Sequence, residues 1–250
     1  MKALITGASS GLGRDLARLL AARGYDLILV ARRRDRLEQL QEELHCQVEI
    51  VCLDLAKKSN CFALYEQVKH EPIHILINNA GFGLFGAFDR TNLDTELAMI
   101  HTNIRAVHIL TKLFLQDFIR RDAGYILNVS SSAAFQPGPL MACYYASKAY
   151  VLRLTLAIRE ELRHRHSRVY IGALCPGPFD TEFNERAHVQ FAIPGLKSKE
   201  VAAYALQQMF RRKGVIIPGT LMKVSKFSTR LAPDAIITRI AYHIQRRKKG

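Results

Sequence analysis

The chain opens with a short apolar run, Lys2–Thr6, that leads directly into Gly7-Ala8-Ser9-Ser10-Gly11-Leu12-Gly13. A buried strand that breaks on spaced glycines and continues as a helical pattern constrains the fold more than any other stretch. Gly7 permits a tight turn, and Gly11 and Gly13 let backbone and helix come close to a bound group. The first amides of the helix then point at that group, an arrangement suited to phosphate. A tight strand–helix turn can use such glycines with no ligand, so the reading depends on the rest of the chain.

Short hydrophobic runs alternate with longer amphipathic ones. Strands are expected at Ala3–Thr6, Leu27–Ala31, Val48–Cys52, Ile73–Ile77, Tyr125–Val129, Val169–Leu174 and Val215–Ile217. Helical patterns lie between them, around Leu12–Arg23, Arg34–Leu44, Asn60–Lys69, Leu93–Arg120, Ala142–Arg163 and Lys199–Arg212. This order predicts an α/β fold of the doubly wound Rossmann type, with a mostly parallel seven-stranded sheet flanked by helices on both faces. Ligands of such sheets gather at the carboxyl ends of the strands. With 250 residues, no repeat and no low-complexity linker, residues 1–250 read as one domain.

Composition narrows the function classes. No apolar run approaches the roughly 18 residues of a membrane span, and no charged leader precedes an apolar segment. The five cysteines have no CxxC spacing, which argues against a zinc site or disulfide framework and for a reducing, cytoplasmic setting. His101, His108, His164 and His166 lack metal-ligand spacing, so no metal is expected. The net charge of +14 is uneven: from Arg211 to Gly250, eleven Lys and Arg face one acid, Asp234.

The second strand bears on which phosphate-bearing ligand binds. An acid at its end would accept adenosine ribose hydroxyls and repel a 2′-phosphate. The chain instead has Arg32-Arg33-Arg34, with no acid before Asp35. A guanidinium at Arg32 can clamp a 2′-phosphate, with Ser10 or Arg33 assisting, which favours NADP(H). The same arginines can also be solvated residues at a helix start. Asp54 and Leu55 follow the third strand, where a carboxylate can meet an adenine amino group. Asn79, Ala80 and Gly81 follow the fourth, where small residues let backbone lie against the cofactor.

After the fifth strand come Ser130-Ser131-Ser132 and then Tyr144-Tyr145-Ala146-Ser147-Lys148. Tyr144 and Lys148, four apart, share a helix face. An ammonium beside a phenol favours the phenolate and lowers the tyrosine pKa, as proton exchange with an alcohol or carbonyl requires. Ser131 can donate to the same oxygen. A second Tyr-x-x-x-Lys, Tyr65–Lys69, lacks the upstream serine and reads as ordinary helix surface.

Taken together, Thr6–Gly13, Asn78–Gly81, Asn103, Asn128–Ser131, Tyr144–Lys148 and Pro176–Thr181 resemble the short-chain dehydrogenase/reductase family in its form of about 250 residues. The resemblance implies Tyr144 as acid in reduction and base in oxidation. It implies that Lys148 holds the nicotinamide ribose, that Ser131 positions the substrate oxygen, and that Asn103 supports a proton relay through a distorted helix. It places Ser9, Leu12, Pro176, Gly177 and Thr181 beside the cofactor. It further implies homodimers or homotetramers packed through the helices of Asn103 and Tyr144.

The expected activity is hydride transfer between NADP(H) and a carbonyl or alcohol carbon. The alternatives are an NAD-preferring dehydrogenase and a nucleotide-binding scaffold without turnover. Substrate contacts are expected from Ala133–Met141 and Phe179–Leu196, whose apolar side chains suit a hydrophobic substrate. Residues 220–250 read as a basic amphipathic helical extension. Leu221, Val224, Phe227 and Leu231 recur at helical spacing, and after Pro233 a second helix carries Ile236, Ile237, Ile240 and Ile244 on one side. It can meet an anionic membrane, a neighbouring subunit or the substrate cleft. It carries no aromatic stacking pattern for specific nucleic-acid binding.

Overall fold

The computed structural model describes residues 1–178, 196–220, 222, 223, 227 and 233–246. Seven strands form one sheet: β1 Lys2–Thr6, β2 Asp26–Ala31, β3 Val48–Cys52, β4 Ile73–Asn78, β5 Tyr125–Val129, β6 Tyr170–Leu174 and β7 Val215–Ile216. Their spatial order is β3-β2-β1-β4-β5-β6-β7, and all six pairings are parallel. The chain therefore winds outward in one direction from β1 to β3, then returns to the other side of β1 with β4.

Helices among the described residues include α1 Gly11–Ala21, α2 Arg34–Glu43, α3 Lys58–Val68, α4 Leu93–Ile100, α5 Val107–Arg120, α6 Ala142–His164, α7 Ser198–Phe210 and α8 Asp234–Arg246. The period-two alternation of the strands sorts the core into two layers. Ala3, Ile5, Leu27, Leu29, Ile75, Ile77 and Leu127 pack beneath Leu16 and Leu20 of α1, Leu37 of α2 and Leu206 of α7. Leu4, Ile28, Val30, Leu76 and Ile126 face the other way, onto Leu64 of α3, Phe114 and Phe118 of α5, and Leu162 of α6. Both faces are thus apolar, which is why these strands read as near-continuous hydrophobic runs.

The long helix expected at Leu93–Arg120 is broken into α4, a π-helical segment His101–Ala106, and α5. Its start is capped by Asn92, whose side chain accepts from the Thr95 amide at 2.9 Å. A short 3-10 turn, Ser132–Phe135, follows β5. Among the described residues the five cysteines are free, no group of His, Cys, Asp and Glu is arranged to hold a metal ion, and no helix is long and apolar enough to cross a membrane.

The C-terminal helix α8 refines one expectation. Its four isoleucines do not share one environment: Ile237 is buried with Ala241 and Gln245, whereas Ile236, Ile240 and Ile244 are exposed. The four isoleucines span about 100° of the helix, and Ile237 lies at the edge nearest Ala241 and Gln245, the side that meets the body. Leu221, Val224 and Leu231 lie outside the described residues.

Candidate active site

One cleft runs along the carboxyl ends of the strands. Its lining includes Gly7, Ser9, Ser10, Gly11, Leu12, Arg32 and Arg33 at one end, and Ser131, Tyr144, Lys148, Pro176 and Gly177 at the other. Asp54, Leu55, Asn79, Ala80 and Gly81 lie between. Residues scattered over the sequence are brought together because each follows a strand. Thr181 and the substrate segment 179–195 fall outside the described residues.

The first turn is shaped by close backbone approach. Gly7 has φ +68°, and a Cβ there would sit 2.8 Å from the Ala80 Cα. A Cβ on Gly13 would lie 2.3 Å from the Gly7 carbonyl oxygen, so this glycine packs the turn and does not line the cleft. The Asn79 side chain donates to the carbonyls of Thr6 and Gly7 at 3.0 and 3.1 Å. The Thr6 hydroxyl in turn accepts from the amides of Asn79 and Ala80, each at 3.0 Å. These bonds tie the ends of β1 and β4 into a single cradle. Thr6 carried no assigned role in the sequence; a hydroxyl at the last residue of an apolar strand was the available signal.

Helix α1 has no acid in its first turn, and Ser10 before it makes no side-chain cap. The free first-turn amides therefore suit an anion at the glycine loop. Arg33, rather than Arg32, reaches back to this loop: its guanidinium donates to the Ser9 and Ser10 hydroxyls at 3.2 and 3.0 Å. Arg32 also lines the cleft, with its side chain exposed. The Asp54 carboxylate accepts from the Ala56 amide at 3.0 Å. The glycine cradle, the uncapped helix end and two arginines together fit a phosphate-rich dinucleotide.

At the other end, Tyr144 and Lys148 lie on α6 and are buried, with the Lys148 ammonium 5.8 Å from the Tyr144 ring centre. The Lys148 Nζ donates to the Val129 carbonyl at 3.0 Å. Tyr144 is hydrogen-bonded to Ser131. The Ser131 Oγ also accepts from the Ala133 amide at 3.1 Å, which fixes it at the start of the 3-10 turn. Asn103, fully buried in the π segment, accepts from the Phe82 amide at 3.1 Å. It donates to the Phe82 carbonyl at 2.9 Å and the Ser147 hydroxyl at 3.1 Å. A Cβ on Gly81 would meet the Asn103 Oδ1 at 2.9 Å and the Lys148 Nζ at 3.3 Å, so backbone, amide and ammonium converge there.

The electrostatics differ from the sequence expectation. The Tyr144 pKa is raised, chiefly by burial, with the Ser131 hydrogen bond opposing the shift and Tyr145 adding to it. The Lys148 ammonium is pushed down to about 8 by burial, with Cys175 opposing. Lys148 therefore does not bring the tyrosine below its ordinary range here, because withdrawal from water dominates both groups.

The second Tyr-x-x-x-Lys is helix surface only at Lys69, since Tyr65 is half-buried edge-on to Phe114. The Tyr65 hydroxyl is engaged by Asp117 at 2.9 Å, and Lys69 pairs with Glu66 at 2.6 Å, well away from the cleft lining. Tyr145, quoted in the motif without a role, does line the cleft beside Phe82, Ala133 and Met141. Its hydroxyl accepts from the Gln245 Nε2 at 2.5 Å, so α8 is tied to this wall. No sequence signal marked Gln245.

The family model for short chain dehydrogenase matches residues 1–190. An uncharacterized oxidoreductase of Staphylococcus epidermidis is 30% identical over 185 residues, covering 73% of this chain and 80% of its own length. The 17-beta-hydroxysteroid dehydrogenase type 3 of Homo sapiens is 34% identical over 184 residues, 70% of this chain and 57% of its own length. Among solved structures, a short-chain dehydrogenase from Sphingobium yanoikuyae in complex with NADPH has a TM-score of 0.81 at 33% identity, covering 88% of each chain. The order of the strands, the cleft at their carboxyl ends and these matches agree: the chain belongs to the short-chain dehydrogenase family of NAD(P)(H)-dependent oxidoreductases.

Proposed function

We propose that the protein is an NADP(H)-dependent carbonyl reductase acting on a hydrophobic substrate, and reversibly an alcohol dehydrogenase. The observation that carries this reading is the buried Tyr144, bonded to Ser131 and beside Lys148, in one cleft with the glycine loop and Arg33. The nicotinamide supplies or takes up the hydride when bound. Every other contribution comes from the chain.

Arg33, with Arg32 beside it, recognises the 2′-phosphate, and the amides of α1 take the pyrophosphate. The raised pKa of Tyr144 keeps its proton in place at neutral pH, so Tyr144 is set to donate to a carbonyl oxygen. Ser131 orients that oxygen. Lys148 remains mostly protonated at neutral pH with a pKa of about 8, and holds positive charge where a ribose hydroxyl and the developing alkoxide need it. Asn103 acts as a clasp between the turn after β4 and the catalytic helix, and it carries the relay role that the family resemblance implies.

The apolar part of the reading rests on Phe82, Ala133, Met141 and Tyr145, which line the cleft beside Tyr144. A steroid-class name in one relative points the same way. Exposed Leu93 and Leu97 on α4 and Tyr150 on α6 support a homodimer or homotetramer built on those helices.

The test is Tyr144→Phe, assayed by NADPH absorbance across ketones, 3-oxoacyl thioesters, steroids and sugars. Turnover of any substrate accepted by the parent should fall about 100- to 10,000-fold, with the NADPH dissociation constant nearly unchanged. Full turnover in the variant would refute the mechanism.

A further inference from the structure

Helix α8 is already seated on the body. Ile237, Ala241 and Gln245, spaced four apart, are 8%, 3% and 2% exposed. Gln245 reaches Tyr145, whose ring lies 6.1 Å from that of Tyr144. A second line of residues with the same spacing, Ile236, Ile240 and Ile244, is 52%, 55% and 54% exposed. Burying the inner line leaves this outer one without a partner among the described residues. Three isoleucines more than half exposed on a 13-residue helix form a stripe in need of cover.

The charge beside the stripe selects the cover. Arg239, His243 and Arg246 are exposed on the same helix, and the sequence continues Arg247-Lys248-Lys249. Asp234, at the opposite end of α8, is the one acid after position 210. A second copy meeting this stripe would bring one acid, Asp234, and add its own Arg239, Arg246, Arg247, Lys248 and Lys249, so like charge would accumulate at the contact. A surface of lipid phosphates would neutralise them while its acyl region takes up the isoleucines.

We infer that α8 docks on an anionic lipid surface through Ile236, Ile240 and Ile244, with Arg239 and Arg246 on headgroup phosphates. The Gln245–Tyr145 bond then holds the substrate side of the cleft beside that surface. This deepens the hydrophobic-substrate reading by naming where such a substrate would be drawn from. The docking itself needs no turnover.

The chain contains no tryptophan, so Ile240→Trp installs a single reporter. The full chain carrying it is mixed with phosphatidylcholine vesicles, with or without phosphatidylglycerol, and followed by emission wavelength and co-sedimentation. We expect a blue shift and sedimentation with the phosphatidylglycerol vesicles only, weakening as salt is added. Two further variants, Ile236→Asn with Ile244→Asn, and Arg239→Glu with Arg246→Glu, should each reduce binding at least about tenfold. Circular dichroism reports whether each variant remains folded.

Absence of sedimentation by the folded chain at low salt would overturn the inference, as would equal binding to both vesicle types. A dimer detected by light scattering, dissolved by the isoleucine changes and without vesicle binding, would assign the stripe to a second copy instead. None of these results depends on NADPH oxidation, so failure here leaves the oxidoreductase reading intact, and failure of Tyr144→Phe leaves the docking intact.

Discussion

Burial acts on Tyr144 and Lys148 in opposite directions, and in both it favours the neutral form. For Lys148 this has a cost in stability. Its folded pKa of about 8 lies below the ordinary 10.5, so between those values the unfolded chain binds more protons. Stability attributable to this group therefore rises with pH across that window, and below pH 8 the full penalty is present. Lys148→Met should raise the melting temperature at pH 7 by about 2–6 °C and flatten the pH dependence between 8 and 10.5. It should also weaken cofactor binding and suppress turnover. Calorimetry at several pH values checks the first part and NADPH titration the second. The spacing of the two residues was legible in the sequence, because four positions on a helix define one face. The direction of the Tyr144 shift was not, since it depends on how much water the fold removes. Likewise Arg32 and Arg33 are adjacent in sequence, and only the turn between β2 and α2 decides that Arg33 reaches Ser9 and Ser10.

At the scale of elements, the entry into α1 is the least tolerant point. Gly13 needs the space of a missing side chain, because a Cβ would meet the Gly7 carbonyl carbon at 2.9 Å and its oxygen at 2.3 Å. Gly13→Ala should destabilise the fold by roughly 1–3 kcal/mol and move the glycine loop, so cofactor affinity should fall together with the denaturation midpoint. Unchanged values of both would show that the turn yields easily. The strands were legible almost to the residue because both of their faces are apolar. The long helical pattern at Leu93–Arg120 was legible as helix, but its π segment was not visible in hydrophobic periodicity. The extra backbone residue there turns Asn103 toward Phe82 and Ser147, a local displacement that an amphipathic pattern cannot report. In α8 the sequence displayed four isoleucines within one arc, and tertiary contact decided that Ile237, at its edge, went inside.

At the scale of the molecule, the cleft draws on residues after β1, β2, β3, β4, β5 and β6, so a ligand there stabilises most of the sheet at once. NADPH at about 100 times its dissociation constant should add about 2.7 kcal/mol, seen as a higher melting temperature. At equal concentrations NADH should add less. Arg33→Asp should abolish that difference, and Arg32→Asp should reduce it to a smaller extent; an undiminished NADPH preference in both would remove the arginines from the phosphate site. The sheet itself was foreseeable from alternation alone, although the exchange of sides between β1 and β4 rests on long-range pairing. That pairing also dictates how the site can form during folding. The Thr6 hydroxyl that organises the cradle waits for Asn79 and Ala80, 73 and 74 residues along the chain. The glycine loop is therefore local in sequence but not in folding: closing so long an intervening segment is an entropic barrier that comes first. A fragment ending before Ile73 would carry every glycine of the loop and still be unable to hold its shape.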